Sequence, residues 1–276
     1  MGKTNIEWAD EVWNPTTGCI KVSAGCKNCY AEMIAHRFWG ARKFTDVQCH
    51  TDRLDIPLHW RKPRRVFVNS MSDLFHGDVP DEFIAKVFDV MGACEQHTFM
   101  VLTKRPNRMK YFLRSSNRPT VKSKYGGWFF GGKFPLHNVM LGVSVENQET
   151  ADERTPLLLQ TPAAVRFLSC EPLLEPIKVG MYLSRTNMPG LNLMPGFRDP
   201  LPGIDWIVVG GESGPKARPC DVDWIRSIVK QCKIAGVPSF VKQDYGQRPG
   251  IQGRIPDDLW TIKEFPNAVQ RQSKRA

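Results

Sequence analysis

Residues 17–32 read TGCIKVSAGCKNCYAE and place Cys19, Cys26 and Cys29 within eleven residues, in the spacing C-x6-C-x2-C. A structural zinc ion usually takes four Cys or His ligands, and disulfide bonds use cysteines in pairs. Three thiolates instead suit a [4Fe–4S] cluster in which one iron stays open to a ligand that the protein does not supply. The place of this loop in the fold therefore becomes the first question.

Two other interpretations of the three cysteines stay open. A structural zinc site would need a fourth ligand, for which His36, His50 and His59 are candidates. Alternatively, the loop binds no metal. The other cysteines are scattered, and in a cytosolic chain such residues are expected to be free thiols; they are Cys49, Cys94, Cys170, Cys220 and Cys232.

Length and composition indicate a globular protein. The chain has 276 residues, 41% of them hydrophobic, which is enough for one large α/β domain. No apolar run reaches about 18 residues and the N-terminus lacks the apolar core of a signal peptide, so we expect a cytoplasmic protein with no membrane contact. The formal charge of +10 favours a polyanionic partner such as nucleic acid, with a plain solubility charge as the alternative.

Short apolar runs that end in polar residues recur along the chain and predict strands. The gaps between them hold helical patterns, with apolar stripes in residues 80–95 and 221–236, where Asp221 is a candidate N-cap and Gly236 a candidate C-terminal residue. Alternating strands and helices predict a parallel sheet, and this number of units favours a barrel or partial barrel. The predicted strands lie in residues 11–19 (weak), 65–73, 99–105, 139–147, 165–172, 205–214 and 238–243.

Two segments interrupt this rhythm within what we expect to be a single domain, residues 1–276. Residues 114–137 and 180–203 are rich in Gly and Pro with Ser or basic residues, and both predict long loops over the site or at its edge. The first carries Lys122, Lys124, Trp128 and Phe129, a mixture that can bind phosphates and stack bases. An ordinary lid is the alternative.

In a parallel α/β barrel, chemistry collects at the C-terminal ends of the strands. Each predicted strand here delivers polar groups to that end, and the three cysteines follow the first strand. Any one of these residues also has a structural alternative, such as a helix cap for Asp73 or a tight turn for the glycines. The candidate site residues are Asn69, Ser70, Ser72, Asp73, Thr103, Lys104, Arg105, Ser144, Glu146, Asn147, Ser169, Glu171, Gly210, Gly211, Glu212, Ser213, Lys242 and Gln243.

Several stretches together resemble the phage and prophage proteins with a three-cysteine motif that are grouped with the radical S-adenosylmethionine (radical-SAM) superfamily. The resemblance covers most of the chain in order. The matching stretches are WNPTTGCIKVSAGCKNCYAE, VNSMSDLFH, LTKRP, LGVSVEN, FLSCEPLLEPI, VVGGESGPKARP and VPSFVKQ.

The resemblance implies a partial (β/α)6 TIM-like barrel of the radical-SAM type. It implies that Cys19, Cys26 and Cys29 ligate a [4Fe–4S] cluster whose open iron binds S-adenosylmethionine, which is cleaved to methionine and a 5′-deoxyadenosyl radical. The remaining cofactor contacts would come from the strand ends. They are Ser70, Ser72 and Asp73 near the methionine amino group, Lys104 beside them, Ser144 or Asn147 at the ribose, and Gly210 and Gly211 near the adenine.

The sequence departs from the superfamily pattern in two places. The common spacing is C-x3-C-x2-C, so this loop is three residues longer. The residue before the third cysteine is often aromatic, whereas here it is Asn28, with Tyr30 just beyond Cys29. The second departure bears on the adenine contact more than on cluster ligation.

The substrate predicted from the phage resemblance and the positive charge is DNA. We expect an isomerase-type radical modification of a DNA base or of its amino-acid adduct, as in phage thymine hypermodification, in the cytoplasm of a bacterial host or phage-infected cell. An electron donor would be a further partner. The candidates for substrate binding and proton transfer are Glu212, Lys242, Glu146 and Glu171. The alternatives are a DNA-lesion lyase of the photoproduct type and a non-catalytic, zinc-stabilised nucleic-acid-binding protein.

Overall fold

A computed structural model describes residue 4 and residues 6–114, 135–183 and 203–267 of the protein. The predicted loop tips at 115–134, including Lys122, Lys124, Trp128 and Phe129, and at 184–202 lie outside these residues. The strands are β1 (Glu11–Trp13), β2 (Thr16–Thr17), β3 (Gln48–Cys49), β4 (Arg65–Val68), β5 (Thr98–Thr103), β6 (Val139–Ser144), β7 (Val165–Cys170), β8 (Trp206–Gly210) and β9 (Ser239–Gln243).

Seven of these strands form one parallel sheet in the order β1-β4-β5-β6-β7-β8-β9. The sheet curls into a half-barrel, so the chain has an α/β fold of the TIM-like kind. β2 and β3 form a small antiparallel pair. The weak first run of the sequence splits into β1 and β2, and the other six predicted strands are confirmed.

Helices connect the strands, and most of them pack against the outer face of the sheet. The predicted apolar stripes are confirmed in α2 (Asp81–Ala93) and α5 (Val222–Ala235), where most stripe residues are buried. Asp221 caps α5 by accepting from the Asp223 amide, and Gly236 ends it in a left-handed conformation (φ +71°). No helix in the described residues is long and apolar enough to cross a membrane. The helices are α1 (Tyr30–Phe38), α2 (Asp81–Ala93), α3 (Pro106–Arg114), α4 (Gln148–Leu159), α5 (Val222–Ala235) and α6 (Asp257–Trp260).

Aromatic side chains fill the concave face of the sheet, and we call this set the aromatic layer. Ring centroids lie 4.7 Å apart for Trp8 and Phe67 and 5.6 Å apart for Phe167 and Trp206. Gly142 makes room, since a Cβ there would lie 2.5 Å from the Phe167 ring. The half-barrel therefore has a packed interior below its polar edge. The aromatic layer comprises Trp8, Phe67, Phe167, Trp206 and Phe240.

Candidate functional site

Polar side chains begin directly above the aromatic layer, at the C-terminal ends of the strands, which we call the rim. Successive strand residues alternate between faces, so Ser169 and Lys242 follow Phe167 and Phe240 on the concave side. Ser144 pairs in register with Ser169, and both are buried. The alternation therefore brings these predicted strand-end residues to one surface.

The three cysteines lie over this rim, on a segment that we call the Cys loop (residues 19–29). Its base is tied to the end of β4, where the Gly18 amide donates to the Met71 carbonyl at 3.0 Å. The Ser72 hydroxyl donates to the Thr16 carbonyl at 2.9 Å. Gly18 has φ +96°, and a Cβ there would lie 2.5 Å from the Asp46 carbonyl oxygen, so only glycine fits. Ser72 thus anchors the loop.

Asp73 anchors the loop near its first cysteine through Arg105. Arg105 Nη1 lies 3.0 Å from Asp73 Oδ2 and 3.5 Å from Cys19 Sγ, and its Nη2 donates to the Ile20 carbonyl at 2.9 Å. Asp73 also accepts from the Thr103 hydroxyl at 2.7 Å, which fixes its buried carboxylate. The guanidinium is therefore aimed at the Cys19 sulfur by a carboxylate from the neighbouring strand end.

Glu146 anchors the middle of the Cys loop. Ser23 Oγ donates to Glu146 Oε1 at 3.0 Å, and a Cβ on Gly25 would lie 2.4 Å from the Glu146 side chain. Glu146 is fully buried and forms ion pairs with Lys104 and with Arg154, the latter at 3.2 Å. Burial by itself would raise the pKa of this carboxyl, but Lys104 and Arg154 hold the pKa below its usual value.

Glu212 anchors the loop beside its third cysteine. Asn28, which immediately precedes Cys29, donates through Nδ2 to Glu212 Oε2 at 2.9 Å. Arg218 clasps the same carboxylate with two bonds, from Nε at 2.9 Å and Nη2 at 2.6 Å. Burial opposes ionisation of Glu212, but these donors outweigh it and lower the pKa. Asp73, Glu146 and Glu212 thus hold the loop near Cys19, Cys26 and Cys29 in turn.

Glu171 and Lys242 form an ion pair at the rim. Unlike the three anchoring carboxylates, this pair makes no hydrogen bond to the Cys loop. Their side chains are linked across the ends of β7 and β9 and are 17% and 14% exposed. Tyr30, the first residue of α1, donates its hydroxyl to the Ser70 carbonyl at 2.6 Å. Burial of that hydroxyl raises the pKa of Tyr30, and the charges of Cys29 and Glu171 raise it further. The pair is therefore within electrostatic reach of the loop.

Other predicted site residues have local structural partners. The Asn147 side chain caps α4 by accepting from the Thr150 amide at 2.9 Å. A Cβ on Gly211 would lie 2.4 Å from the Tyr245 amide nitrogen, so this glycine permits close approach of the chain after β9. The Ser70 hydroxyl bonds to Asn14 at 3.3 Å. Gly210 packs in the same way as Gly211, with a Cβ position 3.1 Å from the Gln243 carbonyl.

The sequence pattern did not single out Arg154 and Arg218, whereas it already placed Asn69 at this rim. Arg154 and Arg218 provide the positive charges for two of the three anchoring carboxylates. Asn69, at the end of β4, has φ +62° and a buried side chain whose Oδ1 accepts from the Thr16 amide. Asn69 Nδ2 has no partner among the described residues. A strand-end Asn was a visible signal, whereas nothing in the sequence marks Arg154 as buried.

Cys19, Cys26 and Cys29 are the soft sulfur donors that a thiolate-bound metal centre would need. All three are free and partly exposed. Burial raises the pKa of Cys19 to about 11, while Arg105 acts in the opposite direction. Burial also raises the pKa of Cys29, and the amides of Glu32 and Ala31 at the start of α1 oppose this. In residues 4, 6–114, 135–183 and 203–267, no three His, Cys, Asp or Glu side chains form a ready-made metal site.

The histidines considered as a fourth zinc ligand have other surroundings. His50 Nε2 lies 2.8 Å from Thr17 Oγ1, below the Cys loop. His59 Nε2 lies 3.7 Å from Asp55 Oδ2, with 74% of its side chain exposed. His36 is exposed on α1, facing away from the buried Ala31 and Ala35.

Comparison with known proteins identifies a family whose description gives no function. Searches of curated protein sequences and of solved structures found no match. A family model described as "Protein of unknown function (DUF5131)" matches residues 3–274. Because that match spans far more than half of the sequence, the chain belongs to the DUF5131 family.

Proposed function

We propose that the protein is a radical-SAM enzyme, with Cys19, Cys26 and Cys29 as the ligands of a [4Fe–4S] cluster. The observation that carries the proposal is the Cys loop itself, which holds three free thiols over the C-terminal rim of a curled parallel sheet. Three thiolates leave one iron of such a cluster open. When bound, the cluster supplies the electron that splits S-adenosylmethionine into methionine and a hydrogen-abstracting 5′-deoxyadenosyl radical.

Residues around the Cys loop would position its three thiols to bind the cluster. Cys19, Cys26 and Cys29 would hold the metal as thiolates, because metal ligation requires deprotonated thiols. Asp73, Glu146 and Glu212 keep the loop over the rim. Arg105 donates to the Cys19 sulfur, and a hydrogen bond to a ligating sulfur is one of the ways a protein tunes a cluster's potential.

The substrate side of the proposal assigns proton transfer to Glu171 and Lys242. They are the rim pair that makes no hydrogen bond to the Cys loop, and both side chains are partly accessible. The net charge of +10 and the resemblance to phage proteins support a DNA substrate, modified at a base or at its amino-acid adduct. Ser144 and Lys104 would be among the rim residues that hold S-adenosylmethionine.

Anaerobic reconstitution tests the cofactor assignment. The wild-type protein should bind about four irons per chain and, under reduction, convert S-adenosylmethionine to 5′-deoxyadenosine. Alanine variants of Cys19, Cys26 and Cys29 should lose iron and cleavage. Cys49→Ala, a partly exposed thiol outside the loop, is the matched control and should keep both. A colourless protein that holds one zinc ion and cleaves no S-adenosylmethionine would instead support the zinc-stabilised binding protein.

The substrate is tested by nucleoside analysis. Reconstituted protein is incubated with DNA that carries phage base modifications and, separately, with ultraviolet-damaged DNA. A rearranged nucleoside in the first sample supports the isomerase-type reaction, whereas repaired pyrimidines in the second would support the lesion lyase. Glu171→Gln and Lys242→Met should abolish product while leaving iron content unchanged.

A further inference from the structure

The outer face of α1 exposes an unusual set of apolar side chains. Among the described residues, the large apolar side chains that are exposed number nine, and six of them fall within residues 20–38. Four lie on α1, whose buried residues are Ala31 and Ala35. We call these six the apolar surface: Ile20 (46% exposed), Val22 (47%), Tyr30 (43%), Met33 (38%), Ile34 (41%) and Phe38 (69%).

Exposed large apolar side chains concentrated in one segment are typical of an interaction site, whereas single exposed apolar residues are ordinary. Most of this set is aliphatic, which favours a protein partner over nucleic acid, because aliphatic side chains provide no stacking surface for bases. The Cys loop supplies Ile20 and Val22, so an occupant of this surface would also touch the segment that carries the thiols.

The charges around the apolar surface indicate the sign of the charge that its partner carries. Residues 20–43 contain five Lys or Arg residues and a single acidic residue, Glu32, which is paired with Lys21 at 2.7 Å. Arg37 lies over the Phe38 ring, 5.2 Å from its centroid. A second copy of this chain would bring like charges together, whereas an acidic protein would meet a complementary border.

The surface also adjoins the three thiols. Cys29 is the N-cap of α1, so the apolar stripe starts one residue beyond the third cysteine. Cys19 and Cys29 pack against a small buried cluster that consists of Ala31, Ala35 and Phe44. A protein bound to the apolar surface would therefore lie close to Cys19 and Cys29 and to any group that they bind.

We propose that the apolar surface, with its basic border, is the docking site for an acidic protein that carries single electrons on a flavin or an iron–sulfur centre. The inference rests on the proposed function, which consumes one electron from outside the chain for each S-adenosylmethionine cleaved. The carrier is oxidised by one electron and the centre on the Cys loop is reduced by one, with no proton or bond exchanged between the two proteins.

Binding to a purified acidic flavodoxin tests the docking site directly by calorimetry. Ile34→Glu and Phe38→Glu should each weaken binding on the order of tenfold, because each places a like charge in the centre of the contact. Ile234→Glu is the matched control, since Ile234 is 65% exposed on α5, and it should bind as the wild type does. Equal binding by all three variants, or no binding by the wild type, would overturn the inference.

Turnover with two reductants separates this inference from the proposed function. Ile34→Glu and Phe38→Glu should lose flavodoxin-driven cleavage of S-adenosylmethionine but keep dithionite-driven cleavage. If the variants lose cleavage with both reductants, Ile34 and Phe38 are needed for the structure of the Cys loop, and the docking site is overturned. No dithionite-driven cleavage by the wild type would contradict the proposed function, while the binding measurement would still decide the docking site. If the variants weaken binding of a DNA duplex and leave flavodoxin binding intact, the surface is a nucleic-acid contact and the inference fails.

Discussion

A carboxylate at the end of a strand can transfer protons, or it can hold a neighbouring segment in place. Glu146 does the second in this structure, since its buried side chain accepts from Ser23 of the Cys loop while Lys104 and Arg154 neutralise it. Glu212 holds Asn28 in the same manner. Their predicted role in catalysis stays a prediction, but the contacts already account for charged residues at these positions.

Removal of the Glu146 carboxylate should destabilise the whole protein. Glu146→Ala leaves Arg154, whose side chain is 4% exposed, as a buried charge without its partner. We expect a loss of about 3–5 kcal/mol in the free energy of unfolding, measured by urea denaturation. Glu153→Ala on the exposed face of the same helix is the control and should change stability by less than about 0.5 kcal/mol. Similar values for the two variants would contradict the anchoring role.

The Glu212 contacts predict a pH-dependent contribution to stability. Its pKa is lowered in the folded protein, so the contribution is present above the unfolded value of 4.5 and is lost as the pH falls through the lower folded pKa. Glu212→Gln should be less stable than the wild type by about 1–3 kcal/mol at neutral pH, because Arg218 loses an ionised partner. The difference should shrink below pH 4.5. Urea titrations across this range check it, and a difference independent of pH would contradict it.

At the scale of elements, the Cys loop is shaped by close contacts that leave no room for additional atoms. Gly25→Ala would place a methyl group 2.4 Å from the Glu146 side chain, so the loop or Glu146 must move. We expect this variant to fold. Its iron content after anaerobic reconstitution should be less than about half that of the wild type, because cluster ligands tolerate little displacement. Gly77→Ala, where a Cβ meets nothing within 4 Å, is the control. Unchanged iron content in Gly25→Ala would show that the loop position is not needed for metal binding.

The elements that the sequence predicted correctly are those whose signals are local. The apolar stripe of α5, its Asp221 cap and its Gly236 terminus all depend on residues within one helix, and the structure has each of them. The anchors of the Cys loop were not predictable in the same way, because Ser23 and Glu146 are 123 residues apart and meet only in the folded sheet. Asn147 is the converse case, since its side chain caps α4, a local signal that the sequence offered, while its predicted cofactor contact stays a prediction.

At the scale of the molecule, the half-barrel has its apolar packing and its polar candidate site at different heights along the strands. The aromatic layer fills the concave face, the polar residues Ser169 and Lys242 follow Phe167 and Phe240 two positions later on β7 and β9, and the Cys loop lies above them. The sequence predicted the parallel sheet and its polar rim, because strand ends can be read from alternation and composition. It could not predict which rim charges pair with each other, since that depends on the neighbouring strands.

The same layering makes a specific prediction about the interior. Gly142 faces the Phe167 ring, and Gly142→Ala would place a methyl group 2.5 Å from it, within the aromatic layer. Because a packed interior has no space for an added carbon, we expect a loss of about 1–3 kcal/mol in the free energy of unfolding, measured by urea denaturation. The Gly77→Ala control should stay within about 0.5 kcal/mol of the wild type. If the two variants are equally stable, the concave face is less tightly packed than the ring contacts indicate, and the rim would not rest on a rigid base.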